Sequence, residues 1–415
     1  MPHKHTRNTV RYFLIIVIFL TFLFFSNDFG LIDVQKTAIV VAAGIDRDGT
    51  DFIVTTQIAI PQAAEQGKST KAVQIVSRGK TVAEAFSDVN AKTGWYPKLV
   101  FCNLILLGEE TTKQNVFDAL DFFLLDEYLS DNCLVAVCDG KAQDLLNATA
   151  VVDASSSAAI EKVLSRHAEQ VGSVYTSTLR TFAIGYHGDD ASGLLPIVKT
   201  QSQQPENTDN NKKIWGGGQD NAQSGKAADT QLSQSSQQKE ENQPKKNPLF
   251  SASETALFKH GKRVGTLTAE ETFAANTLLN KLRLAPYSIT TQEAACTLTF
   301  KQNAPKIQLQ VAKNGMARLK IHLTVTAGLL DYSLALPNTE ISDVGDVPAG
   351  AFSVAQKKLT GEIIQLFEKT RALDCDIFRV RDRAKKTGNH TVHRHEARLL
   401  SNTVAEVTVH FKNVR

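Results

Sequence analysis

Apolar positions from residue 37 onward alternate between strand-like and helix-like spacing. The apolar run Ala38–Ile45 is followed by the turn residues Asp46–Gly49 and by a second strand-like run, Phe52–Ile60. This order predicts a β-hairpin. Val73–Val76 predicts a third strand beside it.

The next segments continue this mixture of patterns. Leu99–Gly108 is apolar throughout, which predicts a central strand covered on both faces. Val116–Tyr128 has helical spacing, and Asn132–Cys138 predicts a short strand. Ser157–Val171 predicts a helix, and Ser173–Gly185 a weaker one. We expect an α+β layer with helices packed on one side of a sheet.

The stretch at Gly79–Thr81 looks like the end of a phosphate-binding loop. Such a loop needs two glycines five residues apart. If Gly79 is the second of them, the first should be at position 74, which is Gln74. We therefore predict no nucleotide site. Thr81 with Glu84 three residues later predicts a capped helix, and Gly94 can end that helix in a left-handed conformation.

The last third of the chain repeats the mixed pattern. Thr255–Lys259 and Arg263–Leu267 predict a hairpin, and Thr268–Glu271 predicts a second capping box at the start of a helix. Further strands are predicted at Thr297–Phe300, Lys306–Val311, Ala317–Ala327 and Thr403–Phe411. Phe352–Thr370 predicts one long amphipathic helix.

Residues 200–247 differ in composition from the rest and are dominated by Gln, Asn, Ser, Lys and Gly. Such a segment buries too little apolar surface to offset its ordering entropy, so we predict a disordered insertion. The expected organisation is a cytoplasmic stub and membrane anchor at 1–32 and three α+β domains. These span 33–150, 151–285 (interrupted by the insertion) and 286–415.

The N-terminus carries a candidate membrane anchor. Lys4, Arg7 and Arg11 precede the apolar run Tyr12–Phe25, and the bulky end of that run offers no small-residue cleavage site. Positive charges before the run place the N-terminus in the cytoplasm and the rest of the chain outside. A transmembrane helix is expected, and a buried core helix is the alternative.

Charge and cysteine usage exclude several classes of protein. The 415-residue chain has a net charge of +3, so neither a nucleic-acid-binding surface nor an acidic tail is indicated. No CxxC motif is present, which argues against zinc or redox chemistry. Cys133 and Cys138 should point to opposite faces of one strand. The five cysteines are Cys102, Cys133, Cys138, Cys296 and Cys375.

Candidate chemical groups each have a simpler structural interpretation. Asp374 and Asp376 flank Cys375 and could act as paired carboxylates, but a turn at the end of a helix explains them as well. Trp95 and Tyr96 are either exposed for a protein contact or buried. A group of histidines could bind a metal together with Glu396: His390, His393 and His395. A polar surface segment is the favoured interpretation of this group. We predict no catalytic, cofactor-binding or metal-binding residues.

The order of several short motifs resembles the Ger(x)C family, the C subunits of bacterial spore germinant receptors. Single motifs are weak, but their order and spacing are fairly specific, from about residue 33 to the end. The matching segments are Ala38–Asp46, Gly79–Glu84 with Thr93-Gly94, Leu106–Glu109, Asp118–Phe122, Asp131, Thr255–Gly265, Leu267–Thr272 and Asp374–Phe378.

The resemblance implies a three-domain α+β protein on the outer face of the spore inner membrane. It would act in a receptor complex with a membrane-spanning A subunit and a transporter-like B subunit. Family members usually begin as lipoproteins, whereas the corresponding position here is Asp28 and no cysteine precedes Cys102. The uncut apolar segment would replace the lipid anchor.

Three functions follow from these observations. The first is a non-enzymatic, membrane-anchored germinant-receptor subunit needed for nutrient-triggered germination. The alternative is an exported, membrane-tethered protein that binds a small molecule or an envelope component. A third is an exported hydrolase that uses Asp374 and Asp376.

Overall fold

A computed structural model describes residues 12–22, 37–59, 72–148, 150, 153, 155–201, 249–291, 294–312, 316–334, 347–348, 350–386 and 398–414. The predicted disordered insertion, apart from its first two residues, lies outside these residues, as do Asp28 and the His390–His395 group. The first helix, α1, covers residues 12–22.

Nine strands of the described chain form a first sheet in the order β3-β2-β1-β5-β6-β7-β8-β9, with β4 also paired to β1. These strands are β1 (Thr37–Asp48), β2 (Asp51–Ala59), β3 (Ala72–Gly79), β4 (Tyr96–Lys98), β5 (Leu104–Leu107), β6 (Leu134–Cys138), β7 (Ser192–Gln201), β8 (Leu249–Lys259) and β9 (Lys262–Leu267). The helices between them are α2 (Val82–Thr93), α3 (Glu109–Thr112), α4 (Phe117–Leu125), α5 (Ala142–Asn147), α6 (Ser156–Val163), α7 (Arg166–Val171) and α8 (Leu179–Tyr186).

The centre of the first sheet is parallel. β1 pairs with β5, β5 with β6, and β6 with β7, all in parallel register. The two predicted hairpins are confirmed at the flanks, since β1 pairs with β2 and β8 with β9 in antiparallel register.

Helices cover both faces of this sheet, so the expectation of helices on one side was wrong. One apolar core contains residues of α2, α4 and α8, and a second core on the opposite face contains residues of α5 and α6. The physical reason is the parallel centre: its strands are apolar on both faces, and each face needs a cover. Cys133 and Cys138 belong to opposite cores, as predicted.

The predicted strand Leu99–Gly108 is shorter in the structure. β4 already pairs with the beginning of β1 at Thr37–Ile39, so β5 joins β1 only from Ala42 onward. Leu99 and Cys102 form a turn between the two strands through a hydrogen bond of 2.9 Å from the Cys102 amide.

The predicted helix Ser157–Val171 is divided into α6 and α7. Ser165 lies at the break, where its hydroxyl accepts a hydrogen bond from the Ala168 amide and caps α7. Serine competes with the helix backbone in this way, which explains why it starts a new helix rather than continuing the first.

A four-stranded second sheet has the order β10-β11-β12-β13 and packs against one long helix and two shorter ones. Its strands are β10 (Ala285–Thr290), β11 (Ala294–Val311), β12 (Ala317–Leu334) and β13 (Thr403–Asn413); the helices are α9 (Ala269–Leu278), α10 (Ala351–Ala372) and α11 (Val380–Lys386). The predicted apolar face of α10 is confirmed, since it buries Ala355, Leu359, Ile363 and Leu366 completely.

Two predicted strands, Thr297–Phe300 and Lys306–Val311, are one strand in the structure. β11 stays paired with β12 along its whole length, with an irregularity between Phe300 and Gln302. β10 pairs with β11 only as far as Phe300. Proline has no backbone N–H to donate, and Pro305 lies beyond the part of β11 that is hydrogen-bonded to β10, so no bond between these two strands is lost.

The predicted domain boundaries relate differently to the two sheets. Residue 150 falls between β6 and β7, which are neighbours in one sheet, so the segments on either side share that sheet. Residue 286 lies at the beginning of the second sheet. The division into three domains stays a prediction.

Candidate functional site

A cleft of 420 Å³ lies where the turn after α10 meets the amino end of β7. One wall is α8 with the loop that leads into β7, and the other is formed by residues between α10 and α11. This volume falls within the range of about 300–1,000 Å³ that small-molecule sites occupy.

Asp376 holds the second wall in place. Its buried carboxylate accepts hydrogen bonds from the amides of Val380 and Arg381, both at 2.8 Å, and thereby caps α11. Burial raises the pKa of Asp376, and the two backbone donors oppose that rise. Both carboxylate oxygens thus accept hydrogen bonds from the beginning of α11.

Asp190 is the centre of an ion-pair network behind the cleft. Its carboxylate pairs with Lys259 Nζ at 2.7 Å and with the Arg381 guanidinium. It also accepts a hydrogen bond of 2.9 Å from the Asp376 amide. Because these groups come from the β7 loop, the end of β8 and the α10–α11 segment, the network fixes the two walls relative to each other.

The neighbours of Asp376 are engaged in the same network. Asp374 pairs with Arg381 at 2.5 Å and with Lys259 at 3.5 Å. The Cys375 thiol donates to the Phe258 carbonyl at 3.4 Å, and burial raises its pKa to about 11. A thiol held protonated is a weak nucleophile. Asp374, Cys375 and Asp376 therefore all make structural contacts.

One polar group in the cleft is left without a protein partner. Ser177 is 2% exposed, and its hydroxyl has no hydrogen-bond partner in the part of the chain that the structure describes. His187, Arg379 and Asp382 also line the cleft. A small polar molecule could use these groups as donors and acceptors.

Sequence reasoning missed Asp190, Lys259 and Ser177 as contributors to this region. Ser177 and Asp190 belong to none of the recognised motifs, and Lys259, although it lies within Thr255–Gly265, is far from both along the chain. Only the fold brings them together, because β7 and β8 pair with Ser192 opposite Lys259.

The motif residue Asp46 has a structural partner on the opposite face of the sheet from α4. Its buried carboxylate accepts hydrogen bonds from the amides of Ala142 at 2.8 Å and Gln143 at 2.9 Å, at the beginning of α5. Burial raises the pKa of Asp46, while these donors lower it.

The Gly79–Thr81 stretch forms a capped helix start. The Thr81 hydroxyl accepts from the Glu84 amide at 3.1 Å, and Gly94 ends α2 with φ = 71°. The Glu84 carboxylate accepts from the Lys80 amide at 2.7 Å, one residue earlier than a capping box requires. The predicted capping box at Thr268–Glu271 is complete.

The remaining candidate groups from the sequence are the cysteines, possible metal ligands and the pair Trp95 and Tyr96. All five cysteines are buried and free. Among the described residues, no group of three or more His, Cys, Asp or Glu is arranged to hold a metal ion. Trp95 and Tyr96, whose burial the sequence left open, are exposed.

Helix α1 is apolar, and its side chains from Tyr12 to Phe22 contain large hydrophobic groups that are 40–69% exposed. Within the described residues, none of the helices combines the length and apolarity required to cross a bilayer.

Comparison with known proteins identifies the family. The family described as spore germination protein N-terminal domain matches residues 31–200. The family described as spore germination B3/GerAC like, C-terminal, matches residues 253–415. The fold and the motif order therefore define a spore germination protein. The chain belongs to the GerAC-like family, as its resemblance to Ger(x)C proteins predicted.

A solved structure has the same fold. The crystal structure of the GerBC protein matches with a TM-score of 0.51 and 17% sequence identity, covering 90% of this chain and 97% of that one. None of the curated proteins compared matches the chain.

Proposed function

We propose that this chain is a non-enzymatic subunit of a spore germinant receptor, needed for nutrient-triggered germination. A single N-terminal pass holds it at the spore inner membrane, with the folded body on the outer side. Its partners are the A and B type receptor subunits, which are integral membrane proteins.

The observation that carries this proposal is an exposed apolar helix directly ahead of a body that belongs to a spore germination family. Lys4, Arg7 and Arg11 precede α1. An apolar helix with exposed side chains gains free energy from burial in lipid, and basic residues before it favour a cytoplasmic N-terminus. The apolar sequence runs on to residue 25, beyond the described helix.

Genetic complementation tests the role in germination. Deletion of the gene in its spore-forming host should abolish release of spore contents after nutrient addition, and the wild-type chain should restore it. A variant with Ile16→Lys and Phe19→Lys should fail to restore germination because it places charge in the anchor. The matched variant with Ile16→Leu and Phe19→Leu should restore it. Unchanged germination after deletion would refute the proposal.

Copurification tests the partners. A tagged full-length chain solubilised from spore membranes should retain integral membrane proteins of the A and B type. The lysine variant should lose them, and the leucine variant should keep them.

A second function, binding of a small molecule, is favoured by the cleft at Ser177. Its buried hydroxyl lacks a protein partner in the described structure, and a ligand could supply one. Calorimetry of the full-length chain in detergent with single amino acids tests this directly. Heat that is lost in an Arg379→Ala variant, and kept in a Lys301→Ala variant at an exposed position outside the cleft, supports binding in the cleft. Absence of any heat rejects it for these ligands.

A further inference from the structure

Exposed apolar side chains are concentrated at one edge of the first sheet. β1, β5 and β6 are parallel, so they begin at the same edge, here called the amino edge. The segments immediately before β5 and β6 carry large apolar groups that lie 37–82% exposed: Trp95, Tyr96, Phe101, Leu124, Leu125 and Tyr128. These six residues are called the amino-edge patch.

Two contacts connect the patch to the place where the chain enters the sheet. Tyr96 in β4 pairs with Thr37, the first residue of β1. Lys98 lies 4.9 Å from the centre of the Tyr128 ring, which joins the segments before β5 and β6. The apolar N-terminal run Tyr12–Phe25, here called the leader, precedes β1 in the chain, so the patch borders the strand end that follows the leader.

The opposite edge of the same strands is charged. Arg78 pairs there with Asp48 at 2.8 Å and with Asp51 at 2.9 Å, beside the turn that ends β1. Further along this edge, Lys199 pairs with Glu254 at 3.0 Å. The amino edge also carries one exposed ion pair, Arg180–Asp131, beside its large exposed apolar side chains.

We infer that the amino-edge patch rests in the headgroup layer of the bilayer into which the leader inserts. Tryptophan and tyrosine are enriched at this depth because their rings are apolar and their N–H and O–H groups stay hydrated. Leucine and phenylalanine bury apolar area in the same layer. The inference rests on the proposed membrane anchor, and it adds an orientation: β1, β5 and β6 rise away from the membrane.

The chain contains a built-in probe of this orientation. It has two tryptophans, Trp95 in the patch and Trp215. A full-length Trp215→Phe variant retains only Trp95. In vesicles of phosphatidylcholine and phosphatidylglycerol, its emission should shift to shorter wavelength, and lipid brominated close to the headgroup should quench it. The reciprocal Trp95→Phe variant should show less quenching.

A surface variant in the Trp215→Phe background separates docking from anchoring. Phe101→Ser with Leu125→Ser should reduce the quenching of Trp95, while the protein still floats with the vesicles. Leu330→Ser, which changes a leucine on the second sheet that is 60% exposed, should leave quenching unchanged.

The other outcomes overturn the inference. Flotation with an unquenched Trp95 would leave the anchor intact and refute the orientation. Failure to float would refute both. A blue-shifted Trp95 that resists lipid quenching and responds to protein concentration would mean that a second copy, not lipid, covers the patch.

Discussion

Gly108 and Asp46 lie in such close contact that a Cβ atom on residue 108 would be 1.9 Å from Oδ1 of Asp46. Asp46 lies near the end of β1 and Gly108 directly follows the parallel neighbour β5, and the Gly108 amide donates to the Ile45 carbonyl at 2.9 Å. The Asp46 carboxylate also caps α5, so this end of β1 is bonded to α5 through a side chain and to the residue after β5 through the backbone. Two sequence motifs that are far apart along the chain are therefore one structural unit.

Gly108→Ala should reduce the free energy of unfolding by about 3 kcal/mol, because the methyl group forces the Asp46 carboxylate away from its donors. Urea unfolding of the full-length chain in detergent measures this. Gly361→Ala is the matched control: a Cβ there meets open space, so it should be neutral or stabilise α10 by up to about 1 kcal/mol. Equal effects of the two substitutions would contradict the proposed contact.

Lys259→Met should destabilise the chain by about 3 kcal/mol, because it leaves the nearly buried Asp190 carboxylate with one fewer cation. The expected loss is partly recovered when Asp190→Asn is added, since no uncompensated charge then remains. A double-mutant cycle measured by urea unfolding tests this coupling. Arg78→Met, at an exposed ion pair, should have little effect. Additive single effects would show that the two residues are not coupled.

Ser177→Ala should leave stability unchanged or raise it by about 1 kcal/mol, since the lost hydroxyl makes no hydrogen bond in the described structure. Ser156 is an equally buried control. It donates to the Leu146 carbonyl at 2.6 Å and accepts from Gln57 at 3.2 Å. Ser156→Ala should therefore cost about 1–2 kcal/mol. Thermal unfolding of both variants decides between these expectations, and a destabilised Ser177→Ala would reveal a missed partner.

Asp376 should make stability depend on pH. Burial raises its pKa above the ordinary value of 3.8, so the folded state binds this proton more tightly than the unfolded state. The resulting contribution is fully present below pH 3.8 and is lost as the pH rises through the raised pKa. Between pH 3.8 and the raised pKa, the free energy of unfolding of the wild type should therefore fall relative to that of Asp376→Asn. The fall should be about 1.4 kcal/mol for each tenfold difference in proton affinity between the folded and the unfolded state. Urea unfolding of both proteins at a series of pH values measures this. A constant difference across that interval would show that the two states bind the proton equally.

Local features of the fold followed from the sequence because they depend on neighbouring residues. The caps at Thr81 and Thr268, the left-handed Gly94 and the buried face of α10 each need only a few positions at fixed spacing. Turn chemistry at Asp48 and Gly49 was likewise enough to predict the β1–β2 hairpin.

Features that depend on distant pairing were not predictable in this way. The shortening of β5 results from β4 occupying the beginning of β1, and the short β4 segment, Tyr96–Lys98, has no strand pattern of its own. The cleft needs Asp190, Lys259 and Asp376 in one place, and the packing of the α10–α11 segment against the beginning of β7 and the end of β8 provides this. The apolar sequence of the parallel strands did contain the signal for helices on both faces.

The pairing of β7 with β8 has a practical consequence for engineering this protein. Gln201 and Leu249 face each other across that ladder, so the chain leaves and re-enters the sheet at adjacent positions. Changing the length of the intervening 47 residues, 202–248, alters the closure entropy only slowly, by about 0.6 kcal/mol per doubling. A fluorescent domain could replace this segment while β7 and β8 keep their pairing. Such a reporter would emerge at the carboxyl ends of the parallel strands, at the opposite edge of the sheet from the amino-edge patch.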